Sequence, residues 1–229
     1  MTSISPGPDA LTPTQRTTLH RFRERGHYDR ALINSILDEA ILCHVGFAAD
    51  QGALVTPVAF TRIDDALYLH GASGNRTLRA VAAGAEVCVT VTLVDGLVLA
   101  RSAFHHSVRF RSVMLFGRAV RVDDDGEKLR ASLSLLDHLV PGRSADARPP
   151  SPTELRATLM VRVPIDEASA KVRGGGPTEE PEDLTLPVWS GVIPLATVAE
   201  PAVPAEDLVA GTPQPSYVEH YPDRRRPPD

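Results

Sequence analysis

Apolar residues recur with a period of two through much of this chain, the signature of strands that bury one face. The clearest run is residues 108–122, where Val108, Phe110, Met114, Phe116, Val120 and Val122 share one face. Ser112 and Arg118 interrupt that face. A buried hydroxyl or guanidinium costs roughly 1–3 kcal/mol or more without a hydrogen-bond partner. The pattern therefore predicts either internal pairing of these two groups or a polar contact from a ligand or second subunit. EVCVTVTL alternates as cleanly, with Val87, Val89, Val91 and Leu93 opposite Cys88, Thr90 and Thr92.

Earlier, ILCHVGFAA, ALVTPVAFTR and ALYLH follow one another with turn signals at Asp50-Gln51-Gly52 and Asp64-Asp65, an antiparallel meander. Pro57 favours an edge, or a site needing no ladder donor. TLMVRVPI adds a strand with Leu159, Val161, Val163 and Ile165 aligned. Helical spacing intervenes three times. Asp29 can cap a helix presenting Leu32, Ile33, Ile36, Leu37 and Ala40 on one face. Asn75 can cap a short helix carrying Leu78, Val81 and Ala82, with Gly84 as its stop. Asp123 to Asp125 open a third, with Leu129, Leu133, Leu136 and Val140 on a stripe. The sum predicts a mainly β domain over residues 14–195, an antiparallel barrel of six or more strands decorated by helices. Residues 1–13 and the Pro-rich 196–229 read as poorly ordered arms.

The 229 residues are 42% hydrophobic and 23% charged, ordinary for one globular domain, and the net charge of −5 with no basic run in the body argues against nucleic acid as a partner. Arg224, Arg225 and Arg226 sit in the tail and receive no role. Cys43 and Cys88 lie in strand-like runs outside any zinc spacing and read as buried thiols. No apolar stretch is long enough to span a membrane and no signal peptide is evident, so the expected location is the cytoplasm.

For chemistry, Arg76 and Thr77 open the short helix after HGASGN, where free N–H groups and the helix dipole favour an anion such as phosphate; a solvated helix start is the alternative. His105 and His106 are neighbours that a strand would point to opposite faces, and His44, His70 and His138 are scattered, so no metal site is expected. No nucleophile elbow, Walker loop or dinucleotide fingerprint is present, which removes hydrolase, P-loop and Rossmann readings. The triple glycine at 174–176 reads as a loop. The sole tryptophan, Trp189 in LPVWSGVIPL, belongs either to the core or to the cover of an aromatic ligand.

TPVAF, LYLHGASGNRTLRAV, EVCVTV, FRSVMLFGRA and the late WSGVIP, in that order, resemble the pyridoxamine 5'-phosphate oxidase-like FMN-binding split barrels, and in particular the nitroimidazole-resistance branch. The resemblance covers about residues 28–195 and implies a six-stranded antiparallel split barrel that holds FMN at a homodimer interface. On it, Arg76 and Thr77 hold the FMN phosphate, and Val55, Thr56 and Val58 line the isoalloxazine. Arg111 and Ser112 match the arginine and glutamine of the motif RQVxxxG, and Trp189 matches the tryptophan of WGGxxxP. Ser112 and Trp189 then reach a cofactor held mainly by the other chain. His70, at the end of the strand leading to the phosphate loop, is the candidate for facing the ring or substrate.

Ser112 in place of glutamine, the inserted stretch DGLVLARSAFHH, and a tail without the family's arginine and histidine motif argue against oxidation of pyridoxamine phosphate. With no strong general acid or base near the site, the expectation is an FMN-dependent oxidoreductase of a small organic molecule with NAD(P)H as donor. The alternative is a carrier or sensor without turnover that binds flavin, deazaflavin or haem.

Overall fold

A computed structural model describes residues 9–50 and 52–221. The arginines at 224–226, and parts of both expected arms, lie outside these residues. In chain order the strands and helices are β1 (Gly26–His27), α1 (Arg30–Glu39), β2 (Leu42–Ala49), β3 (Gly52–Ile63), β4 (Ala66–Ala72) and α2 (Arg76–Ala82). Next come β5 (Glu86–Leu99), β6 (Ser107–Arg118), β7 (Val120–Arg121), α3 (Asp125–Leu139), α4 (Arg143–Asp146), α5 (Pro152–Ala157), β8 (Thr158–Pro164), β9 (Glu167–Arg173), β10 (Gly191–Pro194) and α6 (Ser216–Glu219).

The expected caps are in place. Asp29 accepts from Leu32 N–H at 2.8 Å to start α1, and Asn75 from Leu78 N–H at 3.0 Å to start α2. Asp124 accepts from Glu127 N–H at 2.7 Å at the head of α3. Gly84 leaves α2 at φ +95°, a conformation that costs glycine little.

The strands form one antiparallel sheet of ten, in the order β1-β9-β6-β5-β2-β3-β4-β8-β7, with β10 on β5. The sheet curls around its core but stays open. Four strands lie beyond the expected six: β1 and β7 have two residues each and β10 four, too short to show a period, and β9 buries mainly small residues, Ala168 and Ala170, which give a weak apolar signal. Inside lie Ile33, Ile36 and Leu37 of α1 with Val45, Phe60, Leu69, Val89, Leu115 and Val161, all essentially solvent-free. A smaller cluster of Tyr68, Val122, Ala131 and Met160 seats α3 on the outer side of β4 and β8. The stripe expected to anchor α3 is only half-buried; the buried residues of the helix are Lys128 and Ala131, off that stripe.

The face of β6 reverses the sequence expectation. The buried residues are the odd ones, Val113 and Leu115, while Val108 and Met114 are exposed and Phe110 and Phe116 only partly covered. Ser112 and Arg118 therefore interrupt an outer face, not the core, and no internal pairing is required of them. Arg118 is exposed, with its guanidinium on Gly84 C=O.

The terminal stretches are partly tied down. Leu11 is buried and its N–H donates to Tyr28 C=O at 2.8 Å. Tyr217 donates to Asp146 at 2.6 Å and Tyr221 to Leu139 C=O at 2.9 Å. Among the described residues no helix is long and apolar enough to cross a membrane.

Candidate functional site

The turn into α2 is built by close approach. A Cβ on Gly71 would lie 2.8 Å from Leu78 Cδ1, so a larger residue there would have to displace the buried Leu78 side chain that packs α2 over β4. Ser73 N–H donates to Ala157 C=O at 3.0 Å and holds the loop. Thr77 is buried, and its hydroxyl pairs with that of Thr56 at 3.1 Å, joining the head of α2 to β3. Arg76 is exposed and has no ion-pair or hydrogen-bond partner among the described residues. A free cation thus stands beside unspent N–H groups at a helix start.

Between Gly52 and Ala59, β3 is paired on one side only, by β2; its pairing to β4 begins at Phe60. Pro57 falls on this edge, where a missing N–H costs nothing, as its sequence position suggests. Alternate backbone groups of the segment point away from β2 and can meet a ligand. The three ring-lining candidates divide between the faces of the strand. Val55 points outward and is 67% exposed, while Thr56 and Val58 turn inward.

Residues opposite one another in register share a face, which defines a continuous outer wall. Val55 lies opposite Gly46, and Gly46 opposite Cys88. His44 lies opposite Pro57 on one side and Thr90 on the other. Across the next strands Cys88, Thr90 and Thr92 face Phe116, Met114 and Ser112. Those in turn face Glu167, Ser169 and Lys171. The wall is apolar at Val55, Val94 and Met114, all exposed, and polar at His44, Thr90 and Ser112. Cys88, expected to be buried, stands half-covered on it; only Cys43 is enclosed.

Ser112 is on this wall, its hydroxyl 3.5 Å from Lys171 C=O. Arg111 is on the opposite face. Its Nε and Nη2 donate to Asp95 at 3.0 and 2.8 Å, and its Nη2 also donates to Glu39 at 2.8 Å. These hydrogen bonds, to Asp95 first and then to Glu39, raise its pKa further above the ordinary arginine value. Its guanidinium is thus engaged between the end of α1 and β5.

Trp189 precedes β10 and is 66% exposed. Its ring lies against Gly191, where an added Cβ would come within 2.8 Å of it. The segment is moored by Ser190, whose Oγ accepts from Arg101 at 2.9 Å, and by Glu179, which accepts from the Arg101 guanidinium at 3.1 Å. Burial pushes Glu179 up, but the Arg101 N–H, the Ser190 hydroxyl and the Arg101 guanidinium hold it below the usual carboxylate range.

His70 lies opposite Met160 on the face it shares with Tyr68. The β3–β4 register, with Thr61 opposite Tyr68, puts that face on the same side as Val55 and Pro57. His70 keeps solvent contact, yet desolvation lowers its pKa and favours the neutral imidazole. His105 ends a helical turn, Ala103–His105, and His106 follows it, so neither lies along a strand; His105 Nε2 is 3.4 Å from Glu180 and His106 Nδ1 3.0 Å from Ser102 C=O. Among the described residues no three His, Cys, Asp or Glu side chains gather as a metal site.

The structure thus brings together Thr56, Thr77 and Arg76, and sets Val55 and Ser112 on one wall with His44. It separates Arg111 from that wall. The wall role of His44 was legible only as a polar position in an alternating run, ILCHVGFAA.

The family profile described as pyridoxamine 5'-phosphate oxidase matches residues 29–172. No curated protein matches the chain. Among solved structures, the flavocytochrome Anf3 from Azotobacter vinelandii superposes with a TM-score of 0.86 at 37% identity, over 91% of this chain and 97% of that one. A protein from Mycobacterium smegmatis described as FAD and haem binding gives 0.82 at 37% identity, over 85% and 96%. A Bacteroides thetaiotaomicron protein ascribed to 5-nitroimidazole antibiotic resistance gives 0.55 at 27% identity, over 64% and 86%.

Proposed function

We propose, on the premise that this chain belongs to the pyridoxamine 5'-phosphate oxidase family and has its split-barrel fold, that it is a flavoprotein built as a homodimer. The observation that carries the reading is the outer wall: a partly apolar sheet face left open, with a free cation and a threonine pair at the adjoining head of α2. Exposed Val55, Val94 and Met114 on one continuous face are an unusual surface for a chain that stays monomeric. A second copy and a flat aromatic ligand would cover it.

In this reading Arg76 and the N–H groups at the head of α2 hold the flavin phosphate, with Thr77 fixed by Thr56. The open edge of β3 at 53–59 supplies backbone groups to the rim of the ring, and Val55 packs against its face. Ser112, and Trp189 across the interface, complete the cover; the mooring of Ser190 to Arg101 limits where the indole can go. His70, held neutral, offers an acceptor or a proton at the edge of that space without competing for the phosphate. Bound flavin would supply hydride and single-electron transfer, and the protein would position it and exclude water. The activity that follows is reduction or oxidation of a small organic molecule, with NAD(P)H as the donor of choice to test. The bound form is the FMN moiety, alone or as part of FAD.

A second reading is favoured by the two relatives at 37% identity, one a flavocytochrome and one described as binding FAD and haem. Here the protein carries or relays electrons with a haem beside the flavin, without turning over a substrate; His44 and His70 are the imidazoles on the relevant face.

Purified protein would be loaded with FMN, FAD, deazaflavin and haem in turn and followed by absorbance and by sedimentation. Wild type should take up a flavin as a dimer, and Arg76→Ala should weaken that uptake by about tenfold, the size of a lost charge-assisted hydrogen bond. A chain that takes up none of the four would sink the reading. A haem band with no turnover of nitro compounds, quinones or flavins would select the second.

A further inference from the structure

On the flank of α2 turned away from Thr77 lies a cleft of about 260 Å³, walled by α2, α3, α5 and the ends of β7 and β8. Four cations line it: Arg79, Arg121, Lys128 and Arg156. No carboxylate lines it, and Ser73 and Thr158 add hydroxyls. We propose that this cleft is a second anion site, separate from the flavin phosphate position, that binds a diphosphate-type group.

Four cationic side chains lining one cleft that no carboxylate lines create a positive field there, which an anion would relieve. Among the described residues only Arg121 has an acidic partner, Asp123 at 2.7 Å. Arg79 has no ion-pair or hydrogen-bond partner there, and Arg156 donates only to the Thr153 hydroxyl at 3.0 Å. The nearby Glu154 is engaged by Arg148 at 2.8 Å. Lys128 is 8% exposed, and its ammonium meets a single carbonyl, that of Leu155, at 3.4 Å. A lysine is rarely so buried unless it is paired. One long contact leaves most of its donor capacity unused.

Size narrows the ligand. Pockets for whole organic ligands start near 300 Å³. A compact polyanion fits.

Helix geometry sets the relation to the other site. At about 100° per residue, Arg79 and Thr77 point to opposite flanks of α2, and Arg76 stands between them. A diphosphate in the cleft therefore has two sources: the second phosphate of a dinucleotide flavin reaching round Arg76, or an independent diphosphate-bearing molecule.

The test is calorimetric titration of the full-length protein with inorganic pyrophosphate, at fixed ionic strength, in wild type and in the double variant Arg79→Gln/Arg156→Gln. Both side chains are exposed, so the variant should fold, as circular dichroism would verify. Saturable binding that weakens roughly tenfold or more per guanidinium removed supports the proposal. If FAD but not FMN displaces pyrophosphate, the site belongs to the dinucleotide; if neither does, it serves a separate ligand. Absence of saturable binding below about 1 mM, or equal binding by the variant, overturns it. The titration needs no flavin, so its outcome stands whether or not the flavin reading survives.

Discussion

Exchanging neighbouring residues of β6 separates the two faces of the wall by energy. Leu115 is solvent-free in the core, whereas Met114 is 41% exposed on the outer face. A buried Leu→Ala substitution costs about 2–5 kcal/mol, the transfer of the lost methyls plus the cavity left behind. In a domain of this size each kcal/mol shifts Tm by about 2–4 °C, so Leu115→Ala should lower it by roughly 4–20 °C. Full burial of a methionine is worth about 1.5–3 kcal/mol. With two fifths of Met114 still in water, and the alanine methyl retained, Met114→Ala should cost about 1 kcal/mol within one subunit. Glutamate makes the contrast sharper. Leu115→Glu should abolish folding, while Met114→Glu should keep the fold but place a carboxylate on the face assigned to the homodimer, where an unpaired buried charge costs several kcal/mol. Thermal unfolding by circular dichroism measures the first pair of variants, and analytical ultracentrifugation the Met114→Glu mass. Equal losses at 114 and 115 would refute the assignment of faces; a Met114→Glu dimer as tight as wild type would refute the covering of the wall.

Other outcomes are equally specific. Gly96 sits at the bulge of β5, where an added Cβ would lie 2.9 Å from the Ile193 carbonyl oxygen. Gly96→Ala should therefore displace β10 at a cost of about 1–3 kcal/mol and alter the emission of Trp189, the only tryptophan; unchanged emission and Tm would argue against the contact. Glu179 is held below the ordinary carboxylate range, so its contribution is whole above the unfolded value near pH 4.3 and drains as pH falls through the folded one. Trp189 emission should change over that acid range in wild type and not in Glu179→Gln, as a fluorescence titration would show. Burial pushes the Cys43 thiol up to about 12, so its contribution is whole below about pH 8.5 and is lost as pH climbs toward 12. Thiol titration of the native protein should label Cys88 first and Cys43 only on unfolding, and Cys43→Ala should flatten the alkaline loss of urea stability.

Much of the architecture was readable from local chemistry. The caps at Asp29 and Asn75, the stop at Gly84 and the edge position of Pro57 depend on a few adjacent residues, and each stands where its residue type requires. The alternation in β5 identified Val87, Val89 and Val91 as the core face because the intervening residues are cysteine and threonine. In β6 both sets are largely apolar over the segment that matters. Period two then says that the faces differ without saying which is inside.

That choice belongs to the tertiary structure, because burial depends on what packs against each face, and the partners come from distant segments. α1 and the curl of the sheet cover Val113 and Leu115, while Met114 stays 41% exposed. The same holds for Arg111: its sequence neighbourhood suggests a ligand contact, but Glu39 and Asp95 arrive from other elements and engage it. The cleft beside α2 is likewise assembled from arginines and a lysine far apart in the sequence, so its charge exists only once β7, β8, α3 and α5 close around the helix. Local pattern determined the longer strands and helices, their main caps and the helix start that suits a phosphate; long-range packing decided which faces remain open for a second molecule to meet.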